Sequence, residues 1–170
     1  MRLYKLLNEM TIPPTRHKAD TVLAKAGWGI LGIGCFAYVY GKPGVPYVLK
    51  LFDNNDAAYK DFINLVNANP NPHFPKFHKG LVKVNDTYSA VRLEPLTPYR
   101  GSDRFIEYII DYTKFKEDES EFFEYDDEFR HACDLIRENL LPRYRLDIKD
   151  VNLMMRGKIV VMTDPVTSGR

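Results

Sequence analysis

Cysteine is nearly absent: the 170 residues hold two, Cys35 and Cys133. Their wide separation excludes a disulfide framework and a four-thiolate zinc site, and both read as reduced thiols of a cytosolic protein. Paired metal-binding histidine is absent too. His17, His73, His78 and His131 show no HExxH spacing, and each reads as an ordinary surface or partly buried histidine. Neither sign of charge dominates, with 24 Lys plus Arg against 23 Asp plus Glu and a formal net charge of +1. A nucleic-acid partner needs a surplus of cations to meet phosphates, so none is expected. No apolar run approaches the roughly 18–20 residues that cross a bilayer. The opening MRLYKLLNEMTIPP lacks the uninterrupted apolar stretch of a secretion signal. No membrane partner is expected, and the expected location is the cytoplasm. There is no internal repeat and no low-complexity linker.

What is present suffices for a core. Hydrophobic residues make up 45% of the chain and aromatics 13%, and a domain of about 150 residues buries roughly 68–70% of its unfolded-chain surface. Whole-chain disorder is excluded. The length suits one domain, or one small domain split into two lobes.

Residues 1–26 read as partly helical with a break at Pro13-Pro14, and Asp20 is placed to cap a short helix that Gly27 ends. The texture then changes. Residues 28–40, WGILGIGCFAYVY, predict strand, glycine turn, strand, and residues 47–52, YVLKLF, predict a further strand. Over 55–68, Ala58, Phe62, Leu65 and Val66 fall on one helical face, and the NPNPHFP run at 69–75 ends that helix. Strands are expected at 77–84 and 87–93 around an Asn85-Asp86 turn, and helices at 103–114 and 126–140. A hairpin of Leu153–Met155 and Lys158–Met162 turns at Arg156-Gly157. Strands first and helices later is α+β segregation rather than βαβ alternation.

Three features carry chemistry. Gly32 and Gly34, followed by Cys35 and Phe36, lie between two strand-like runs. Glycines there let backbone N–H groups approach a phosphate, and they equally suit a plain turn. The loop is neither a Rossmann turn, since a strand follows it, nor a Walker A loop. Lys50 lies inside an apolar strand, where it either faces outward or pairs an anion such as phosphate. The third feature is Asp147-Ile148-Lys149-Asp150-Val151-Asn152, then the hairpin, then Thr163-Asp164-Pro165. The hairpin returns Asp164 beside Asn152. An Asp and an Asn together offer oxygen ligands to Mg²⁺, and a second Asp accepts a hydroxyl proton. Taken singly, the three polar residues also suit ordinary turns.

In this order the motifs resemble those of protein kinases: glycine loop, strand lysine, D-x-K-x-x-N, hairpin, T-D-P. The resemblance runs over residues 28–168 and is closest to the early serine/threonine protein kinases of T-odd coliphages and related phages and prophages. It rests on Gly32–Tyr40, Ala57-Ala58-Tyr59, the acidic run 117–128, Cys133–Arg137 and Thr163-Asp164-Pro165-Val166. It implies an α+β, reduced protein-kinase-like fold. An N-terminal antiparallel β-lobe with one helix would precede a minimal, mostly helical C-lobe ending in a β-hairpin. The implied organisation is one domain over 1–170, with a helical extension at 1–27, an N-lobe at 28–94 and a C-lobe at 95–170.

The resemblance also implies roles. The loop with Gly32, Gly34, Cys35 and Phe36 would cover ATP phosphates, and Lys50 would pair the α/β-phosphates. Glu94 and Leu96 would belong to the hinge that reads adenine. Asp147 would act as catalytic base, Lys149 would neutralise γ-phosphate charge, and Asn152 with Asp164 would hold Mg²⁺. The implied function is ATP- and Mg²⁺-dependent phosphorylation of serine and threonine in host bacterial proteins, and of the chain itself. Alternatives are a pseudokinase-like module that inhibits a host protein by docking, and a kinase-fold enzyme with a small-molecule acceptor. The sequence departs from the kinase pattern at several points. Arg145 and Leu146 stand in the His-Arg positions before Asp147, Ala37 replaces the third glycine, and Pro165-Val166 replaces Phe-Gly. The helix over 55–68 offers only Asp56 and Asp61 to pair Lys50. The sequence ends six residues after Asp164, in keeping with a minimal C-lobe. The run 117–128 carries eight acids in twelve residues with Phe122, Phe123 and Tyr125 between them. It reads as a solvated loop or as a docking surface for a basic partner.

Overall fold

A computed structural model describes residues 12, 15–34, 37–78, 80–115 and 127–169. The chain divides into two compact units, Met1–Asp56 with Lys76–Pro95, and Ala57–Pro75 with Leu96–Arg170.

The first unit begins with helix α1 (Arg16–Lys25). The helix starts ahead of the expected cap, so Asp20 lies inside it and its carboxylate accepts the Tyr40 hydroxyl at 2.6 Å. Its end is as expected. Gly27 takes φ +83°, the Gly27 N–H donates to the Ala24 carbonyl and the Trp28 N–H to the Leu23 carbonyl, both at 2.9 Å. These two bonds form a Schellman close, which needs a residue tolerant of positive φ at this point. Leu23 and Trp28 are both buried in the core that the helix shares with the sheet.

That sheet has five antiparallel strands in the order β1-β2-β3-β5-β4: β1 (Gly29–Ile33), β2 (Ala37–Gly41), β3 (Val48–Asp53), β4 (Val82–Lys83) and β5 (Tyr88–Leu93). β3 is central, pairing β2 on one side and β5 on the other, and Val48–Phe52 are all buried. Such a strand reads as a near-continuous apolar run rather than an alternating one. The expected strand over 77–84 contracts to β4 and one bridge, Phe77 to Leu93. Gly80 within that stretch and Pro75 just before it disfavour regular pairing. The Asn85-Asp86 turn forms as expected: the Asn85 side-chain oxygen accepts the Thr87 and Tyr88 N–H groups, each at 2.8 Å.

The second unit holds helices α2 (Ala57–Ala68), α3 (Asp103–Phe115) and α4 (Asp127–Asn139). α2 buries Ala58, Tyr59, Phe62, Ile63, Leu65 and Val66. The turn after it is bolted to the hairpin formed by β8 (Leu153–Arg156) and β9 (Ile159–Met162). Arg156 donates to the Pro72 carbonyl at 2.6 Å and the Phe74 carbonyl at 2.9 Å, and the Met162 N–H donates to the His73 carbonyl at 2.9 Å. Aromatic contacts close the interior. Phe62 stands edge-on to Phe74 at 5.8 Å, His73 edge-on to Phe129 at 5.0 Å, and Phe105 lies 5.9 Å from Phe129.

Three two-residue strands add to the expected elements. β6 (Thr97–Pro98) pairs with β8, and β7 (Arg145–Leu146) pairs with β10 (Val166–Thr167). The α+β expectation is met, with an antiparallel sheet first, then helices and a hairpin.

Candidate active site

In the first unit, Gly32 lies near the end of β1 and Gly34 in the connection to β2. Gly32 is opposite Val39, and the Gly34 N–H donates to the Ala37 carbonyl at 2.8 Å. Cys35 and Phe36 lie outside the described residues. Neither Gly32 nor Gly34 takes a positive φ. A Cβ would stand 4.0 Å from Val39 at position 32 and 3.6 Å from the Ala37 oxygen at position 34, which is ordinary contact. The local backbone therefore does not require glycine at either place.

Lys50 is 7% exposed in the middle of β3, between Val39 and Val91. The outward-facing alternative fails, because the whole strand from Val48 to Phe52 is buried. Glu94 follows β5. Its carboxylate accepts the Lys76 N–H at 2.8 Å, and its own N–H donates to the Lys76 carbonyl at 3.1 Å. Leu96 is the first residue of the second unit after the crossing from Pro95.

In the second unit the expected residues come together around one loop. α4 runs into a tight turn in which the Arg143 and Tyr144 N–H groups donate to the Leu140 carbonyl at 3.0 and 2.9 Å. β7 leads from that turn to Asp147. The Asp147 N–H donates to the Pro165 carbonyl at 2.8 Å, and its carboxylate meets Lys149 Nζ at 2.5 Å. A single helical turn (Asp150–Asn152) brings the Asn152 amide back. Its Nδ2 donates to the Asp147 carbonyl at 2.6 Å and to the Asp147 carboxylate at 3.2 Å. Thr163 closes the loop from the hairpin side, donating its N–H at 2.9 Å and its hydroxyl at 3.0 Å to the Asn152 carbonyl. Asp164 is thus bracketed by Thr163, bonded to Asn152, and Pro165, bonded to Asp147.

This donor set fits a hard cation. With Nδ2 committed to Asp147, the Asn152 amide keeps its oxygen as the remaining acceptor. The kinase resemblance would make the Asp164 carboxylate the second oxygen. Mg²⁺ is commonly held through one or two such side chains, with phosphates and waters completing the shell. Among the described residues no group of three or more His, Cys, Asp or Glu side chains gathers as a metal centre.

Two sequence expectations need correction or enlargement. Asp61 of α2, one of the two acids that the sequence offered for Lys50, accepts the Tyr144 hydroxyl at 2.5 Å and pairs with Arg143 at 3.0 Å. The helix that carries it, α2, groups with the second unit and not with the strands before it. The clamping role of Thr163 was also missed, although its place directly before Asp164 is visible in the sequence. Cys133 is a core thiol, not a nucleophile. Burial pushes it up to about 12, against the lowering effect of a hydrogen bond with Thr113. Of the acidic run at 117–128, only Asp127 and Glu128 fall within the described residues, where they open α4 and suit its positive end.

No protein-family model matches the chain, and no curated protein matches it. Among solved structures, the chain is similar to the Cydia pomonella granulovirus kinase PK-1 at 17% sequence identity and a TM-score of 0.44. The match covers 86% of this chain, which spans 57% of the length of that kinase.

Proposed function

We propose that the chain is an ATP- and Mg²⁺-dependent serine/threonine protein kinase of phage or prophage type, acting on host proteins in the bacterial cytoplasm and on itself. The observation that carries the reading is the knot tying Asp147, Asn152 and the Thr163–Pro165 segment together through backbone and side-chain bonds. Such a knot holds a proton-accepting carboxylate next to two oxygen donors for a cation.

Asp147, oriented by Lys149 and Asn152, accepts or orients the proton of the attacking hydroxyl. Lys149 supplies positive charge for the transferring group. Lys50, kept in an apolar strand, pairs nucleotide phosphates. The glycines at 32 and 34, not demanded by the fold, put no side chain between the backbone and an approaching phosphate. Bound Mg²⁺, held by Asn152 and Asp164, would neutralise phosphate charge. The kinase character and the ordered motifs agree; the serine/threonine preference and host targets extend the sequence resemblance. The acidic run 117–128 favours a basic protein partner. No helix among the described residues is long and apolar enough to cross a membrane.

One observation favours a second reading. The helix α2 carries no Glu, the residue type that the kinase resemblance leads one to expect there. A docking module that keeps the fold and inhibits a host protein suits that arrangement. Incubation with Mg²⁺ and γ-labelled ATP, with and without bacterial lysate, separates the two. Label transfer that Asp164→Ala lacks supports the kinase, and a small labelled product in place of labelled protein identifies a small-molecule acceptor. No transfer, together with no ATP-dependent rise in melting temperature, overturns the kinase and leaves docking.

A further inference from the structure

The loop before Asp147 is fastened to a helix far from it in sequence. On α2, one carboxylate oxygen of Asp61 receives both the Tyr144 hydroxyl, at 2.5 Å, and the Arg143 guanidinium, at 3.0 Å. Between Tyr144 and Asp147 lie only Arg145 and Leu146, and both are paired with β10. A displacement at Tyr144 has little slack in which to dissipate before it reaches Asp147. The far end of α2 is also fixed, since Arg156 grips the Pro72 and Phe74 carbonyls of the following turn. α2 is therefore held to the same unit at both ends, at one end beside the Asp147 loop and at the other beside the hairpin that carries Asn152 to Asp164.

We propose that Asp61 and Tyr144 form a positioning latch for Asp147, with α2 as its rigid anchor. The proposal rests on the transfer reading above in taking Asp147 as the group positioned. Neither Asp61 nor Tyr144 is a catalytic residue here; they act through the backbone of residues 145–147. The hydroxyl-to-carboxylate bond is charge-assisted and partly sheltered, and so among the stronger single side-chain ties. Arg143 is 61% exposed at its side chain and contributes less, because water screens its charge.

The test uses the full chain, labelled with ¹⁵N, and reads amide hydrogen exchange together with steady-state kinetics. Tyr144→Phe is expected to speed exchange of the Asp147 amide about tenfold or more, leaving exchange along α2 and α4 unchanged. The same variant is expected to lower kcat about tenfold at an unchanged KM for ATP. Asp61→Asn keeps an acceptor oxygen for Tyr144 and should fall between wild type and Asp61→Ala. The double variant Asp61→Ala with Tyr144→Phe should match the single ones, because the pair acts as one unit. Unchanged exchange at Asp147 overturns the latch. So does faster exchange throughout α2 and α4 with a lower melting temperature, which marks a general structural tie. If wild type transfers no phosphate, the transfer reading fails by itself, and the exchange measurement alone decides the latch.

Discussion

Lys50 and Asp147 are held in place by opposite means. Lys50 sits in the central strand of a sheet, and its position follows from register: Val39 stands on one side and Val91 on the other. The strand would place any side chain there. Asp147 sits in a loop whose shape depends on the residues themselves, with Lys149, Asn152, Thr163 and Pro165 all bonded around it. A strand position is robust to the identity of its occupant, and a loop position is made by its occupants. Changing a loop residue therefore alters geometry and chemistry at once, whereas changing the strand lysine alters chemistry with little effect on geometry.

The sharpest way to sharpen this contrast is Asp147→Asn. It keeps the size and most contacts of the side chain but removes the proton acceptor. Phosphoryl transfer should fall about 10²–10⁴-fold with ATP binding retained; wild-type transfer would remove Asp147 from its assigned role. Lys50→Met should weaken ATP binding by roughly 10–150-fold, the loss of a charge-assisted bond worth about 1.5–3 kcal/mol. Since β3 keeps its register, it should change stability by no more than about 1.5 kcal/mol. Calorimetric titration and chemical denaturation read the two effects separately. Unfolding of this variant would break the comparison.

Asn152→Ala should do both kinds of harm. It removes two bonds to Asp147 and one cation donor, so transfer should drop about 10–100-fold and stability by about 1–3 kcal/mol. An effect on transfer without any on stability would show that the loop holds its shape without this amide. Within the sheet unit, Tyr40→Phe should cost about 1.5–3 kcal/mol through the lost bond to Asp20 and leave ATP binding unchanged.

Tyr40 also sets a pH dependence. Burial first, then the bond to Asp20, hold its hydroxyl well above the ordinary value of 10.0. Above pH 10 the unfolded chain releases this proton while the folded chain keeps it. The stabilisation is complete below pH 10 and declines as pH rises beyond it. Denaturation midpoints at pH 8 and pH 11 should diverge less in Tyr40→Phe than in wild type. The smallest effect concerns Cys133. In a Cys35→Ser background, a thiol reagent should leave native protein unmodified at pH 8 and react only on unfolding.

The contrast between strand and loop also explains what the sequence made legible. The buried β3, the Schellman close at Gly27 and the Asn85 turn could be read because each rests on local chemistry. The convergence of Asp147, Asn152 and Asp164 on one loop could be read because a short hairpin fixes their return. The two-residue strands β6, β7 and β10 could not, since a pair of residues has no periodicity. Asp20 looked like a helix cap, and only the tertiary approach of Tyr40 gives it another partner. The commitment of Asp61 to Tyr144 was hidden for the same reason: the residues are 83 apart, and nothing local to either announces the other.

The bond from the Asp147 N–H to the Pro165 carbonyl sets a timetable for synthesis. α2 is made early, yet it packs against β10 and shares a unit with it. At about 5–20 residues per second, roughly five to twenty seconds separate the making of α2 from that of its partner strand. Through that interval α2 lacks this strand, and Asp147, once made, still waits for the Pro165 carbonyl. A chain still short of residues 165–167 has neither contact, and it offers chaperones a helix to protect in the meantime.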